Sequence, residues 1–429
     1  MDFLEPGTLA GAGKVCRLMR ELTDDPWVVR SRSVAPRLPF PSCAHPFLTV
    51  LHVHPYLQWR SLCMEKFPFV GGGAENNDWK RIYLRRSRLQ KGWDGGKSGD
   101  FSVTSMRGHD GYINCIDILK NQAISGGSTG QIKVWRTNTS KLSYDCIGHT
   151  DVVSSVKFND IYILSGSADR TVKLWDTQTG TLLRSMDAAF GVTSIAFDAN
   201  NVISCGHDAV DIHDIRSAQR LVHQTRGHVV SKALFVDEHL FAVSRSDGVM
   251  VFDTRGNTDV AVHSLNRAAT QMEIAGNELL ALTCGQDVVL YNAKTGANAW
   301  TCRLPSDSPV TALKADSATI VLGTKAGQLM ILRHRNPAIR TVSAHEGGVN
   351  GLQFDTHRVV TAGADNSIKV WDVKNGKMLY TLLGGSLQLR GAAKAHPTRP
   401  GCSNLVYDEN RIVGSFANVL KSFNFGGAE

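Results

Sequence analysis

Ser165-Gly-Ser-Ala-Asp169-Arg-Thr-Val-Lys-Leu-Trp175-Asp176, preceded by Gly148-His149, decides how this chain folds. The same order returns as His345 followed by Thr361-Ala-Gly-Ala-Asp365-Asn-Ser-Ile-Lys-Val-Trp371-Asp372, and Gly108-His109 with Ile132-Lys-Val-Trp135 nearly completes a third copy. From Trp135 the anchor position recurs at Trp175, His213, Phe252, Tyr291, Leu332, Trp371 and Phe423, at intervals of 38 to 41 residues until a final one of 52.

A period near 40, with Gly-His early and Trp-Asp late, is the signature of four-stranded blades arranged radially. Runs such as Asn114-Cys-Ile-Asp-Ile118, Ile161-Tyr-Ile-Leu-Ser165 and Thr171-Val-Lys-Leu-Trp175 serve as first, second and third strands, and eight such triplets can be counted. The last ends at Val419-Leu-Lys-Ser-Phe423 with six residues to follow, too few for a fourth strand. Phe101-Ser-Val-Thr-Ser-Met106 is the free strand that would complete that blade and leave the ring without an open edge. The expectation is an all-β propeller of eight blades, with seven as the alternative. The 52-residue interval carries a Gly-, Pro- and Ala-rich loop from Gly384 to Asn404.

These motifs resemble the WD-repeat family over residues 101–425, three copies carrying the motif strongly and five degenerate. The resemblance implies that each Trp N–H is met by a hydroxyl on the second strand, Ser165 or Thr361. That hydroxyl is linked to the Gly-His imidazole, His149 or His345, and to the turn carboxylate, Asp169 or Asp365. Beside them Val172, Leu174, Trp175 and Trp371 fill the layer between blades as apolar bodies. A His, Ser and Asp set invites a hydrolase reading, but here it repeats around a ring instead of standing once in a cleft, so it reads as structure. No catalytic, metal or cofactor site is expected.

A chain of 429 residues with 40 Gly, 8 Trp and 42% apolar content can bury a large core. The most apolar early run, Pro46 to Trp59, contains His52 and His54 and is short for a membrane span. The opening Met-Asp-Phe-Leu-Glu lacks the order of a secretion signal. Nine cysteines without a C-x-x-C pair read as reduced thiols of the cytoplasm or nucleus. Of the net charge of +8, residues 1–100 hold +5. The basic run Lys80-Arg-Ile-Tyr-Leu-Arg85-Arg-Ser-Arg88 includes Ile82, Tyr83 and Leu84 and reads as a helix packed on the propeller, ahead of a nucleic-acid contact.

The first hundred residues carry a second resemblance. Lys14-Val-Cys-Arg-Leu-Met-Arg-Glu-Leu-Thr-Asp-Asp-Pro26 is similar to the last helix of an F-box. Gln58-Trp59-Arg-Ser-Leu-Cys63-Met-Glu-Lys-Phe67-Pro68 resembles the segment that follows one, and Asn77-Asp-Trp79-Lys-Arg-Ile-Tyr83 through Leu89 to Trp93 resembles the linker joining an F-box to a WD propeller. The implied layout is a partial F-box-like helix in 1–30, a disordered insertion in 31–57, a helical linker in 58–100 and the propeller in 101–425. The F-box's opening Leu-Pro and two apolar helices have no counterpart before Leu9, and Arg30-Ser-Arg-Ser-Val-Ala-Pro-Arg-Leu-Pro-Phe-Pro41 reads as an insertion splitting the motif.

Resemblance to the F-box/WD-repeat family implies a non-catalytic substrate receptor of a Skp/cullin/F-box ubiquitin ligase. A Skp-type adaptor and a cullin would be its partners, and a target protein, phosphorylated or not, would sit on the propeller rim. Residues carried over to that rim are Asn114, Ser128, Ser154, His207, Ser246, Lys325 and Asn350, with Arg245 nearby and Arg107, Arg170 and Arg267 on adjoining loops. The alternative is a WD-repeat scaffold for another assembly, with no ubiquitin role.

Overall fold

A computed structural model describes Leu84, Ser87 and Trp93, which are helical, and then residues 101–425 apart from 199, 208, 219, 226–229, 238, 255–260, 277, 335, 384–401 and 409. The F-box-like helix, the insertion, most of the linker and most of the 384–404 loop lie outside the described residues.

Eight four-stranded antiparallel sheets make up the ring. In chain order the blades span 113–146, 153–187, 192–225, 230–265, 271–303, 310–343 and 349–383. The eighth joins Cys402–Tyr407, Arg411–Phe416 and Val419–Asn424 to Ser102–Arg107. The strand expected at 101–106 thus closes the ring, in register from Ser102 opposite Asn424 to Arg107 opposite Val419. The propeller has eight blades rather than seven.

Burial follows position in the blade. Second strands are covered along almost their whole length, as in Tyr162–Ser167, whereas the outer strand Leu182–Asp187 is exposed except at Met186. Two-sided burial selects continuous apolar runs, and one-sided burial selects alternation. The anchors read from the sequence occupy one register: Trp135 opposite Ala123, Trp175 opposite Ile163, His213 opposite Val202, Phe252 opposite Phe241, Tyr291 opposite Leu280, Leu332 opposite Ile320, Trp371 opposite Val359 and Phe423 opposite Ile412.

Large anchors seal the joints between blades. Trp175 of the second blade packs with Ile124, Val134 and Cys146 of the first. Trp135 packs with Met106, Val413 and Leu420 of the eighth. Each such side chain removes apolar surface worth about 1.5–3 kcal/mol from water. Gly precedes His in two of the motifs because a Cβ on Gly148 would meet the Trp175 ring at 3.0 Å, and one on Gly108 the Trp135 ring at 3.2 Å.

Candidate protein-binding face

Turns between second and third strands meet the segments that link successive blades, so both open on one rim. Ser128 N–H donates to Tyr112 O, Ala168 N–H to Val152 O, Lys325 N–H to Pro309 O and Ala364 N–H to Gly348 O, all within 2.8–2.9 Å.

Below that rim run the His-centred chains. Trp175 Nε1–H donates to Ser165 Oγ at 2.9 Å, Ser165 Oγ lies 2.8 Å from His149 Nε2, and His149 Nδ1 lies 2.7 Å from Asp169 Oδ2. The seventh blade repeats this with Trp371, Thr361, His345 and Asp365 at 2.9, 2.8 and 2.9 Å. Burial alone would raise the Asp365 carboxyl, but bonds from His345 and Ser367 and the nearby Lys369 hold it well below the usual carboxylate range. Asp169 is lowered in the same way against its burial by Thr171 and His149. Burial lowers the His149 ring, with Asp169 opposing. Ser165, Thr361, His149 and His345 are buried, so these sets brace the turns and offer no nucleophile to a substrate.

The rim residues carried over by resemblance divide into two groups. Ser154 Oγ–H donates to Gly166 O at 3.1 Å and also to Val192 O of the next blade, and Asn350 Nδ2–H donates to Cys402 O at 3.1 Å. Asn114 is half-buried and its carbonyl accepts Asn404 Nδ2–H at 2.8 Å across the ring seam. These three stitch blade to blade. A β-bulge at the start of the inner strand turns each bulged residue toward its neighbour, as between Val153 and Ser155 or Val349 and Gly351. Thr311 Oγ1–H does the same to Val349 O at 2.5 Å. The sequence carries a signal for this bulge, Val followed by a small polar residue at Val153-Ser154, Val192-Thr193, Val310-Thr311 and Val349-Asn350.

The second group faces solvent. His207, Ser246 and Lys325 are exposed, and Ser128 is half-buried. Lys325 and Asn350 flank Gly348 on adjoining blades, whereas the others stand on separate blades. Arg245 already pairs with Asp247, Nε to Oδ1 at 3.2 Å, and directs Nη1 at Met250 Sδ. Arg267 pairs with Asp287 at 2.5 Å, while Arg107 and Arg170 are exposed.

Sequence reading missed the polar lining of the inner strands. Glu273 Oε1 lies 2.9 Å from Lys314 Nζ and Oε2 3.1 Å from Lys232 Nζ, joining three consecutive blades. Burial would raise Glu273, yet the two ammonium groups bring it below its ordinary value. Arg411, almost fully buried, donates to Thr137 Oγ1 and, at 3.0 Å, to Asn121 Oδ1, clasping the eighth blade to the first. Among the described residues no cluster of three or more His, Cys, Asp or Glu is placed to hold a metal ion, and no helix is long and apolar enough to cross a membrane.

Comparison with known proteins agrees with this geometry. Residues 101–136, 140–176 and 336–372 match the family described as "WD domain, G-beta repeat", and residues 168–350 match that described as "Outer membrane protein assembly factor BamB". The chain is 26% identical over 263 residues to Ribosome biogenesis protein YTM1 of Meyerozyma guilliermondii, covering 50% of this chain and 57% of that protein. It is 25% identical over 238 residues to the Serine-threonine kinase receptor-associated protein of Dictyostelium discoideum, covering 52% and 81%. Mitochondrial division protein 1 of Saccharomyces cerevisiae is 27% identical over 119 residues, a match spanning 23% of this chain and only 16% of that protein. The crystal structure of the computationally designed protein Ika8 superposes with a TM-score of 0.65 at 25% identity, over 75% of this chain and 98% of that one. The chain thus carries WD repeats within an eight-bladed β-propeller.

Proposed function

We propose that this WD-repeat propeller holds a partner protein on the rim bearing Ser128, His207, Ser246 and Lys325, and works by placement instead of bond-making. The observation that carries the reading is the division just described: every complete His, Ser or Thr, and Asp set is buried as a brace, while the exposed polar groups are spread over separate blades. A broad, dispersed surface suits a protein, whereas a small substrate needs convergent groups in a cleft. Arg245, already paired with Asp247, leaves Lys325 as the freer cation, which favours an acidic target over a phosphorylated one that would call for clustered guanidinium groups.

A more specific reading is that of a substrate receptor in a Skp/cullin/F-box ubiquitin ligase. It is supported by the ordered resemblances at 14–26, 58–68 and 77–93, and by Trp93. Trp93 is 1% exposed, stacks on Phe425 at 3.8 Å and 16°, meets Tyr407 edge-on at 5.5 Å and carries Arg358 over its ring at 4.8 Å. Packing of this last residue of the resemblance against the propeller supports a receptor that delivers its target at a defined geometry. The names of relatives, a ribosome biogenesis factor and a kinase-receptor-associated protein, support the broader scaffold reading.

Affinity capture of the full chain from cells separates the two. Recovery of a Skp-type adaptor and a cullin together with a target supports the receptor. A different stable assembly lacking both supports the scaffold. Retention of all partners by a Lys325→Glu, Arg245→Glu double variant would move the binding face elsewhere.

A further inference from the structure

The first blade departs from the other two strong copies of the motif at one atom. In the second and seventh blades the ring nitrogen that faces the turn is met by a carboxylate, and also by a hydroxyl at 3.2 Å, Thr171 or Ser367. In the first blade His109 Nε2 lies 2.6 Å from Ser125 Oγ, which accepts Trp135 Nε1–H at 2.8 Å, so the inner part of the chain is intact. Its Nδ1, however, is buried with no hydrogen-bond partner, in a side chain only 4% exposed.

Both missing partners trace to the turn. Six residues before the anchor, where Asp169 and Asp365 stand, the chain has Thr129. Four before it, in place of Thr171 and Ser367, it has Gln131, which turns away to Asp110, Nε2–H to Oδ2 at 2.5 Å. Thr129 is exposed on the rim and leans toward Gly111, where an added Cβ would meet its Cγ2 at 3.0 Å. A hydroxyl that an enzyme can reach therefore stands at the carboxylate's place in the repeat, in the one strong copy whose buried ring nitrogen has no partner.

We propose that Thr129 is a phosphorylation site and that His109 is the internal receptor for its phosphate. A serine/threonine kinase and a nucleoside triphosphate supply the group. Thr129 Oγ1 bonds to the γ-phosphorus as the bond from that phosphorus to its β-bridging oxygen breaks. The hydroxyl proton passes to the kinase's base and the nucleoside diphosphate departs. A phosphate oxygen then accepts Nδ1–H from His109. The ring proton moves from Nε2 to Nδ1, and Nε2 accepts from the Ser125 hydroxyl, as in the complete sets. Charge-assisted bonds of this kind order the segment that carries the phosphate. The charged groups around His109 are Lys133, Asp145 and Asp110. Asp110 is no obstacle, since Glu346 holds the same place beside Asp365 in the seventh blade and its N–H points to that carboxylate. Burial, and then Lys133, lower the His109 ring to about 4, so it is neutral at pH 7 and its proton is free to change nitrogen.

The test uses the full chain made with phosphothreonine at 129, beside the unmodified chain, Thr129→Asp, and the phosphorylated chain carrying His109→Gln. Ring 15N shifts of His109 and melting temperatures are read. Phosphorylation is expected to place the proton on Nδ1 and raise the melting temperature by about 2 °C, and the thermal gain should vanish with His109→Gln. Thr129→Asp, which restores the residue of the other two blades, should shift the ring the same way. Ring shifts that are the same in the unmodified chain, the phosphorylated chain and Thr129→Asp, or a thermal gain that persists in His109→Gln, would overturn the receptor. The tryptic peptide 121–133 from native cells with phosphatases inhibited should carry one phosphate; finding it only unmodified overturns the site.

Discussion

Val103 lies directly opposite Phe423, so the first strand of the propeller is hydrogen-bonded to its last. That single pairing converts an open stack of blades into a ring, and Met106 three residues on inserts between the eighth blade and the first. A joint of this kind couples the two ends of the fold, because neither can leave without uncovering the other's apolar face.

Met106→Ala should therefore destabilise the whole ring by about 2–5 kcal/mol, as for other buried methionines cut to alanine. Val103→Ala, on the exposed side of the same strand, should stay within about 0.5 kcal/mol. Urea titrations of both variants measure the difference.

Asp169→Ala removes the acceptor of His149 Nδ1 and of the Thr150 N–H. The expected loss is about 1–3 kcal/mol, the cost of leaving a buried donor unmet. An unchanged denaturation midpoint would contradict a bracing role for the carboxylate.

Glu273→Gln leaves Lys232 and Lys314 facing each other on the inner strands with no anion between them. A loss of about 1–3 kcal/mol is expected, below the full effect of breaking a deeply buried pair because the glutamate side chain is 19% exposed. The loss should shrink in high salt, which screens the two ammonium groups.

Protonation of His109 predicts an acid-side weakness. Its ring is lowered to about 4 by burial and then Lys133, against about 6.5 in an unfolded chain. The unfolded chain binds the extra proton between these values, so this contribution is complete above about 6.5 and is lost as the pH falls toward 4. Stability at pH 5 should drop by about 1–2 kcal/mol relative to pH 7, and His109→Gln should show a smaller drop.

Asn350→Ala should cost about 0.5–1.5 kcal/mol through the lost bond to Cys402 O, without weakening partner capture. Lys325→Glu should do the reverse. Measuring both quantities on both variants assigns each residue to the frame or to the face.

The sequence alone determined the strand plan. The anchors from Trp135 to Phe423, the count of eight and the closing role of the segment after Phe101 follow from a local repeat, since each blade must present an apolar middle strand at the same distance from its Gly-His or from whatever replaces it. The bracing sets of His149 and His345 were legible for the same reason, their members lying within one repeat. The tertiary structure alone decided which polar residues serve the frame and which face solvent. Ser154 is bonded to a carbonyl 38 residues away, Asn404 to one 290 away, and Glu273 to lysines on the blades either side. Such partners are set by the rotation of one blade against the next. A serine on a rim reads the same in a sequence whether its hydroxyl meets water or the neighbouring sheet.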